Sequence, residues 1–286
     1  MIILHDPICA EYGSAMRPEQ PARVLKTAPY LQKTRPDWTW QKPNPATEAD
    51  LLRAHTPAHL SRLKRAPDFD EDTPYYPGIF DHANRSAGSA IDAAALALTG
   101  QKAFSLMRPP GHHCTSNQAM GFCYLNSIAI AALAARAKGV ARVAIWDFDA
   151  HHGNGTEAIL HQQPGFLFCS VHQYPGYPGT GTHSFDNCIN LSIEPNTSRG
   201  AHMSALEKSF STVLAFKPEL ILVSAGFDAY TRDPITAMTL ESEDFETLGQ
   251  WLGGARLPAA AILEGGYSSD LPLLIDSFLT AWVGAD

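Results

Sequence analysis

The sequence VAIWDFDAHHGNG, residues 143–155, joins an apolar run to a polar, glycine-containing segment, and this combination indicates the class of fold. It opens with a short apolar run, Val143 to Trp146, whose composition is typical of a strand buried on both faces of a sheet. Polar residues rich in Asp, His and Gly follow at once. Four similar runs occur elsewhere, each also followed by a polar segment, and they are Ala103 to Met107, Phe166 to Val171, Leu220 to Val223 and Ala259 to Leu263.

Segments with helical patterns lie between and before these runs. Those among the runs are Asn126 to Lys138, Ala201 to Phe216, Glu241 to Gly253 and Asp270 to Val283; those in the first hundred residues are Pro21 to Gln32, Glu48 to Ala54, Ala58 to Lys64 and Ile79 to Thr99. Alternating buried strands and helices are typical of βαβ units. We therefore predict an α/β fold with three αβα layers around a central, mostly parallel sheet. No linker or repeat interrupts the chain, so one domain over residues 1–286 is expected.

Composition and charge exclude several classes of partner. The net charge of −8 argues against nucleic acid or anionic lipid as a ligand, because such binding draws on clustered Lys and Arg. No run approaches the roughly 18 apolar residues of a membrane helix. The 5 cysteines are scattered without C-x-x-C spacing, which indicates a reducing compartment and a cytoplasmic protein.

The polar segments that follow the strands carry the candidate metal ligands. In a parallel sheet all strand carboxyl ends lie along one edge, so these segments are expected to converge there. Asp149 and His151 can point to the same side of an extended backbone, and Asp228 follows another strand. Alone, any of these residues would more often be a loop cap or a buried hydrogen-bonding group. Together they predict a three-ligand divalent metal site that leaves positions free for water and substrate.

Three further residues near this edge suggest catalysis. His112 and His113 follow the stiff Pro-Pro-Gly turn of RPPGHH and are candidates for general base and general acid. Tyr267, after the flexible Gly-Gly of EGGY, is a candidate hydrogen-bond donor to the oxyanion of a tetrahedral intermediate. Phe122 and Tyr177 lie in Gly- and Pro-flanked loops and could wall an apolar slot, although core packing explains either almost equally well.

With these segments assembled, the chain resembles the histone deacetylase and acetylpolyamine amidohydrolase family, which shares the arginase fold. The resemblance extends from about Asp72 to Tyr267 and rests on six motifs in family order: RPPGHH, GFCYLN, DFDAHHGNG, PGTG, SAGFDA and EGGY. It implies that the protein hydrolyses an acylated amine, such as acetyl-lysine or an acetylpolyamine. The metal at Asp149, His151 and Asp228 would be zinc, or ferrous iron.

The resemblance also implies roles that the residues alone do not indicate. Asp147 would pair with His112, and a tunnel for the acyl-amine would be lined by Gly121, Phe122, Tyr177 and Ile235, with Asp72 orienting the substrate at its rim. A structural potassium ion is implied as well. Its ligands would be the side chains of Asp147 and Ser170 and the carbonyl groups of Asp149, His151 and Val171.

Two positions depart from the pattern of the family. Asn154 stands where some members have an aspartate behind the second histidine, so His113 would receive less carboxylate support and protonate less readily. Arg17 replaces the histidine that usually begins the family's N-terminal HPE-x-P-x-R segment. Arg23 is the basic residue expected at the end of that segment.

Two other functions are weighed against a deacylase. A non-catalytic module could bind an acyl-amine in the same pocket, but such a module would be expected to lose Tyr267 or a metal ligand. An arginase-like ureohydrolase would need additional Asp ligands for a second metal near DFDAHH, and the sequence supplies the His pair and tyrosine instead.

Overall fold

A single sheet of eight parallel strands forms the centre of the molecule in the computed structural model, which describes residues 1–284. Strands β1 to β8 span Ile2–Leu4, Thr39–Gln41, Ala103–Ser105, Val143–Asp147, Phe166–Gln173, Cys188–Ile193, Leu220–Ala225 and Ala259–Leu263. Their order across the sheet is β2-β1-β3-β8-β7-β4-β5-β6, and every neighbouring pair is parallel.

Helices cover both faces of this sheet. Helices α1 to α9 span Ala22–Thr34, Glu48–Ala54, Pro57–Arg62, Ile79–Leu98, Ser127–Ala137, Asn154–Leu160, Arg199–Ala215, Ser242–Gly254 and Leu271–Gly284, and a 3-10 helix covers Pro7–Ala10. Adjacent residues of β4 face opposite cores: Trp146 belongs to the core that contains Phe210 of α7, whose ring centre is 4.6 Å away, and Phe278 of α9. Ile145 belongs to the core that contains Ile128 of α5. The predicted three-layer α/β architecture is confirmed.

The five predicted strands occupy the middle of the sheet as β3, β8, β7, β4 and β5. The three strands that the sequence did not reveal are the outer ones, β1, β2 and β6. β1 and β2 have only three residues each, too few for a period to emerge, and the edge strand β2 is largely exposed. β6 reads CINLSI and mixes polar with apolar residues, as suits the opposite edge.

The segments that follow the central strands leave the sheet at one edge, because all strands run the same way. β4 lies between β5 and β7, and β8 lies between β7 and β3. The polar segments after these five strands therefore emerge side by side, which is the usual position of a ligand crevice in open parallel sheets.

A buried histidine makes stability depend on pH. His202 of α7 is 2% exposed, and its Nδ1 lacks a partner among the described residues. Burial lowers the pKa of His202 to about 4, although Asp244 opposes the shift. The folded state therefore binds fewer protons than the unfolded state below the ordinary pKa of about 6.5, so this contribution to stability is present above that pH and is lost as the pH falls.

We expect the free energy of unfolding to fall by about 1–2 kcal/mol between pH 7 and pH 5 through His202 alone. Urea unfolding at both pH values should therefore show a smaller fall in His202→Leu than in the unaltered protein. His183→Leu, which removes an exposed histidine, is the control. Equal falls in all three proteins would contradict the prediction.

Candidate active site

Three predicted ligands meet at the carboxyl edge of the sheet. One ligand atom each from Asp149, His151 and Asp228 lies within 4.8 Å of the others. His151 Nδ1 is 2.8 Å from Asp228 Oδ2 and 3.2 Å from Asp149 Oδ1. Asp149 follows β4 and Asp228 follows β7, which are neighbouring strands. Strand order therefore brings together residues that are almost eighty positions apart in the chain.

The chemistry of this cluster fits a divalent cation. Asp149 Oδ2 accepts a hydrogen bond from Gly265 N at 2.7 Å, and Asp228 Oδ1 accepts one from Ala150 N at 2.8 Å, so the other oxygens face His151. Burial alone would lower the pKa of His151, yet Asp228 and hydrogen bonds to both aspartates raise it to about 10. Two buried carboxylates aimed at one nitrogen require positive charge between them, which a proton or a metal ion supplies.

The tandem histidines lie beside this cluster in unequal surroundings. His112 Nδ1 is 3.1 Å from Asp147 Oδ2, and His113 Nδ1 is 2.8 Å from Asn154 Oδ1. Burial lowers the pKa of His112, but Asp149 and Asp147 raise it to about 10. Burial and the neighbouring His112 hold the pKa of His113 well below its usual range. A carboxylate behind one ring and an amide behind the other favour a charged His112 beside a neutral His113.

Glu264, which the sequence analysis did not single out, holds the loop that carries both histidines. It directly follows β8 and is completely buried; its Oε2 accepts hydrogen bonds from Gly111 N at 2.7 Å and His112 N at 3.1 Å. Burial raises the pKa of Glu264 to about 7. The available signal was a charged residue directly after a fully apolar strand, a position where a carboxylate needs buried donors.

A cavity of ≈ 230 Å³ opens above the cluster and brings the remaining candidates together. Its lining residues are Pro18, Asp72, His113, Gly121, Phe122, His151, Tyr177, Ile235 and Tyr267. The rings of Phe122 and Tyr267 are 5.8 Å apart, and those of Tyr177 and His113 are 5.0 Å apart. Gly121 has φ +57°, and a Cβ there would lie 2.6 Å from the His113 ring. The rings of Phe122 and Tyr177 line this cavity, so neither residue is an ordinary core residue.

Arg17 does not line this cavity, and neither do Asp147 and Ser170, whose side chains are the expected potassium ligands. Arg17 is not among the lining residues; its Nη1 donates to the Glu71 carbonyl at 2.7 Å. Asp147 and Ser170 are directly opposite one another on β4 and β5, and both are completely buried. Ser170 Oγ is also 2.8 Å from His172 Nδ1. A buried carboxylate and a buried hydroxyl side by side suit a hard cation that prefers oxygen ligands.

A second group of metal-type side chains includes Cys114, which directly follows the tandem histidines in the chain. One ligand atom each from His55, His59 and Cys114 lies within 4.8 Å of the others. However, His55 Nε2 accepts from Asn126 N at 2.9 Å, and His59 Nε2 donates to the Tyr124 carbonyl at 2.8 Å. Because hydrogen bonds already use these nitrogens, we interpret the group as a packed support for the loop.

Known proteins are similar to this chain in sequence. The histone deacetylase domain family matches residues 17–280. A histone deacetylase-like amidohydrolase of Pseudomonas aeruginosa is 40% identical, over 78% of this chain and 65% of its own. A probable deacetylase of Methanothermobacter thermautotrophicus is 34% identical, over 94% of this chain and 86% of its own. An acetylpolyamine amidohydrolase of Mycoplana ramosa is 36% identical, over 68% of this chain and 61% of its own length. The chain thus spans less than two thirds of the Pseudomonas and Mycoplana proteins.

Solved structures agree with the fold. The acetylpolyamine aminohydrolase of Burkholderia pseudomallei superposes with a TM-score of 0.92 at 26% identity, covering 100% of this chain and 99% of that one. The HD domain of HDA15 gives a TM-score of 0.91 at 28% identity, covering 99% and 89%. The family match and the fold identify a hydrolase of amide bonds with the arginase/deacetylase fold. The chain belongs to the histone deacetylase domain family, and its activity is that of a deacylase.

Neither a membrane-spanning helix nor a two-metal site is found in residues 1–284. In residues 1–284, no helix is both long and apolar enough to cross a membrane. Within the same residues, the other group of three or more metal-type side chains is the one at His55, His59 and Cys114, which contains no carboxylate. An arginase-like site with two metals is therefore not found in the described part of the chain.

Removal of the Glu264 carboxylate tests its part in holding the histidine loop. Glu264→Ala should lower the free energy of unfolding by about 2–4 kcal/mol, because it leaves two buried N–H groups without acceptors. Glu264→Gln keeps an acceptor oxygen and should cost less than about 1 kcal/mol. Urea unfolding at pH 7 measures both, and similar losses in the two variants would contradict the assignment.

Proposed function

We propose that this protein is a zinc-dependent deacylase that hydrolyses the amide bond of an N-acyl amine. The observation that carries the proposal is that one cavity is lined at once by His113, His151 and Tyr267. A candidate base, a candidate metal ligand and a candidate oxyanion donor therefore face the same bound molecule. Aromatic side chains from Phe122 and Tyr177 would flank the acyl-amine stem.

Asp149, His151 and Asp228 are the residues that would hold the metal, with zinc preferred and ferrous iron an alternative. Two carboxylates and one imidazole are ligands that both ions accept, and three protein ligands are typical of a catalytic site. When bound, the metal supplies Lewis-acid polarisation of the substrate carbonyl and a lowered pKa for water.

The residues of the chain would then handle the protons and the developing charge. His113 lines the cavity with an amide rather than a carboxylate behind it, so its neutral ring can take a proton from the attacking water and return it to the departing amine. His112, backed by Asp147, would stay cationic and stabilise negative charge nearby. The Tyr267 hydroxyl would donate to the oxyanion of the tetrahedral intermediate.

A structural potassium ion is proposed beside this site. Asp147 and Ser170 would contribute side-chain oxygens, and Asp149, His151 and Val171 would contribute carbonyl oxygens. The opposed positions of Asp147 and Ser170 on neighbouring strands support this placement. The ion would offset negative charge close to the buried carboxylate that backs His112.

The substrate class that fits best is an acylated lysine or an acylated polyamine. Both present a slender stem ending in an N-acyl group, which suits a cavity narrowed by Phe122, Tyr177 and Ile235. Asp72 at the rim is exposed and can accept a hydrogen bond from an amide or attract an amine. The net charge of −8 favours a cationic partner over nucleic acid or an anionic membrane.

We also propose a single catalytic domain and a cytoplasmic location. Both cores lie on the two faces of one sheet, which supports one folding unit for the described residues. All five cysteines are free and buried, as suits a reducing compartment.

Two substitutions test the catalytic roles. Tyr267→Phe and His113→Ala should each lower turnover of an acetyl-lysine reporter by about 10²- to 10³-fold while bound zinc stays at the normal amount. Tyr230→Phe is the matched control, because that hydroxyl bonds to Asp270 outside the cavity. Undiminished turnover in both variants would refute the mechanism. The unaltered protein should also be incubated with acetyl-lysine peptide and with acetylpolyamine. Saturable binding of both without released acetate would favour a binding module.

Metal content tests the ligand assignment without reference to activity. Asp228→Asn and His151→Ala should weaken zinc affinity by more than about tenfold, because each removes one of three ligands. Elemental analysis after dialysis against a zinc buffer gives the bound amount. His183→Ala, which removes an exposed histidine, should retain full zinc. Unchanged zinc in both ligand variants would place the metal elsewhere.

A further inference from the structure

The peptide group that joins Gly266 to Tyr267 is held from both sides by charged residues. Arg23 Nε donates to the Gly266 carbonyl at 2.8 Å. Asp233 Oδ2 accepts from Tyr267 N at 2.8 Å. The C=O and N–H of one peptide unit thus face a guanidinium and a carboxylate. The bond from the Arg23 guanidinium is charge-assisted, and such bonds are about twice as strong as those between neutral groups. Burial and Asp228 raise the pKa of Asp233 to about 7, and its Oδ2 accepts from Tyr267 N whether the group is ionised or neutral. Both bonds therefore restrain the orientation of this peptide.

Both charged residues are themselves firmly placed. Asp233 is 7% exposed; its Oδ1 accepts from Ile235 N at 3.1 Å, and its own N–H bonds to the Tyr230 carbonyl at 2.9 Å. Arg23 is 5% exposed, and Nη2 donates to the Glu264 carbonyl. The Arg23 guanidinium also lies 4.8 Å from the centre of the Tyr267 ring.

The restraint matters because the turn before Tyr267 is intrinsically flexible. Gly265 and Gly266 are adjacent, and Gly266 has φ +112°, a conformation that favours glycine. Gly265 N bonds to Asp149, so the first glycine depends on a candidate metal ligand. The bond from Tyr267 N to Asp233 is independent of the metal ligands. Asp233 bonds to the Tyr267 nitrogen, which is attached directly to the tyrosine Cα, whereas Arg23 bonds to the carbonyl of the preceding residue.

We propose that Asp233 is a positioning residue for Tyr267. One carboxylate oxygen fixes the peptide so that the phenol points into the cavity, and the other accepts from the backbone N–H of Ile235, which also lines the cavity. One side chain thus sets the relative placement of the oxyanion donor and the cavity wall. The inference rests on the proposed function, because Tyr267 must be the donor for its position to affect catalysis.

A purely structural role for Asp233 predicts different behaviour. In that case its loss would destabilise the fold and reduce activity independently of Tyr267. If Asp233 acts through Tyr267, removing the phenol hydroxyl should abolish the effect of changing Asp233. A double-mutant comparison separates the two cases, because effects that share one group are not additive.

The experiment compares Asp233→Asn, Tyr267→Phe and the double variant as full-length, zinc-loaded proteins on an acetyl-lysine reporter. Asparagine has almost the same shape, but it can accept from only one of the two N–H groups while its NH₂ faces the other. Asp244→Asn is the matched control, since Asp244 is also buried and accepts a backbone N–H, at 2.8 Å from Glu241, far from the cavity.

We expect Asp233→Asn to lower kcat by about 10- to 100-fold with KM changed less than about threefold, because a small displacement of a catalytic group is costly. The double variant should be no slower than Tyr267→Phe within about threefold. Amide hydrogen exchange over residues 264–270 of the zinc-free protein should accelerate in Asp233→Asn. Asp244→Asn should leave both kcat and this exchange unchanged.

The outcomes distinguish this inference from the proposed function. Full activity in Tyr267→Phe would refute the role of the tyrosine, and the positioning role with it. A strong loss in Tyr267→Phe, combined with a kcat near normal in Asp233→Asn, would overturn the positioning role alone. So would a double variant whose losses multiply, or hydrogen exchange that Asp233→Asn leaves unaltered.

Discussion

Buried carboxylates along the carboxyl edge of the sheet determine how the surrounding loops are arranged. They are Asp147, Asp149, Asp228, Asp233 and Glu264, and all are 7% exposed or less. Removing a carboxylate from water is costly unless hydrogen bonds or positive charge replace the lost hydration. Here the replacements are mostly backbone N–H groups of other loops: Gly265 bonds to Asp149, Gly111 bonds to Glu264, and Tyr267 bonds to Asp233. These bonds join the loops after β3, β4, β7 and β8 to one another, and so hold the candidate catalytic groups in fixed relative positions.

The same constraint explains glycines in the polar motifs. A Cβ on Gly265 would lie 2.5 Å from Asp149 Oδ2, and one on Gly226 would collide with the same carboxylate. The backbone can approach the buried aspartates closely only where no side chain intervenes. The motifs SAGFDA and EGGY thus combine an acidic or aromatic group with the small residues that let neighbouring loops close over it. Their composition follows from packing as much as from chemistry.

Much of the fold could be predicted because the central strands are buried on both faces. Continuous apolar runs identified β3, β4, β5, β7 and β8, which are contiguous in the sheet. β1, β2 and β6 were not predicted, because short or edge strands need not be uniformly apolar and their pairing partners lie far away in the chain. α6 was also missed, since it begins within the Gly-rich segment after His152, where the composition indicated a loop.

For the site, the residue types that follow each strand can be read from the sequence, and parallel strands made their convergence predictable. The sequence accordingly predicted that Asp149, His151 and Asp228 lie together, and Phe122, Tyr177 and Tyr267 line the cavity beside them. The groups that support these residues depend on the tertiary structure. The bonds from Glu264 to the histidine loop and from Arg23 and Asp233 to the peptide before Tyr267 join segments between 34 and 243 residues apart. Local pattern describes a strand and the turn after it, but strand order and loop packing choose the partners of a buried charge.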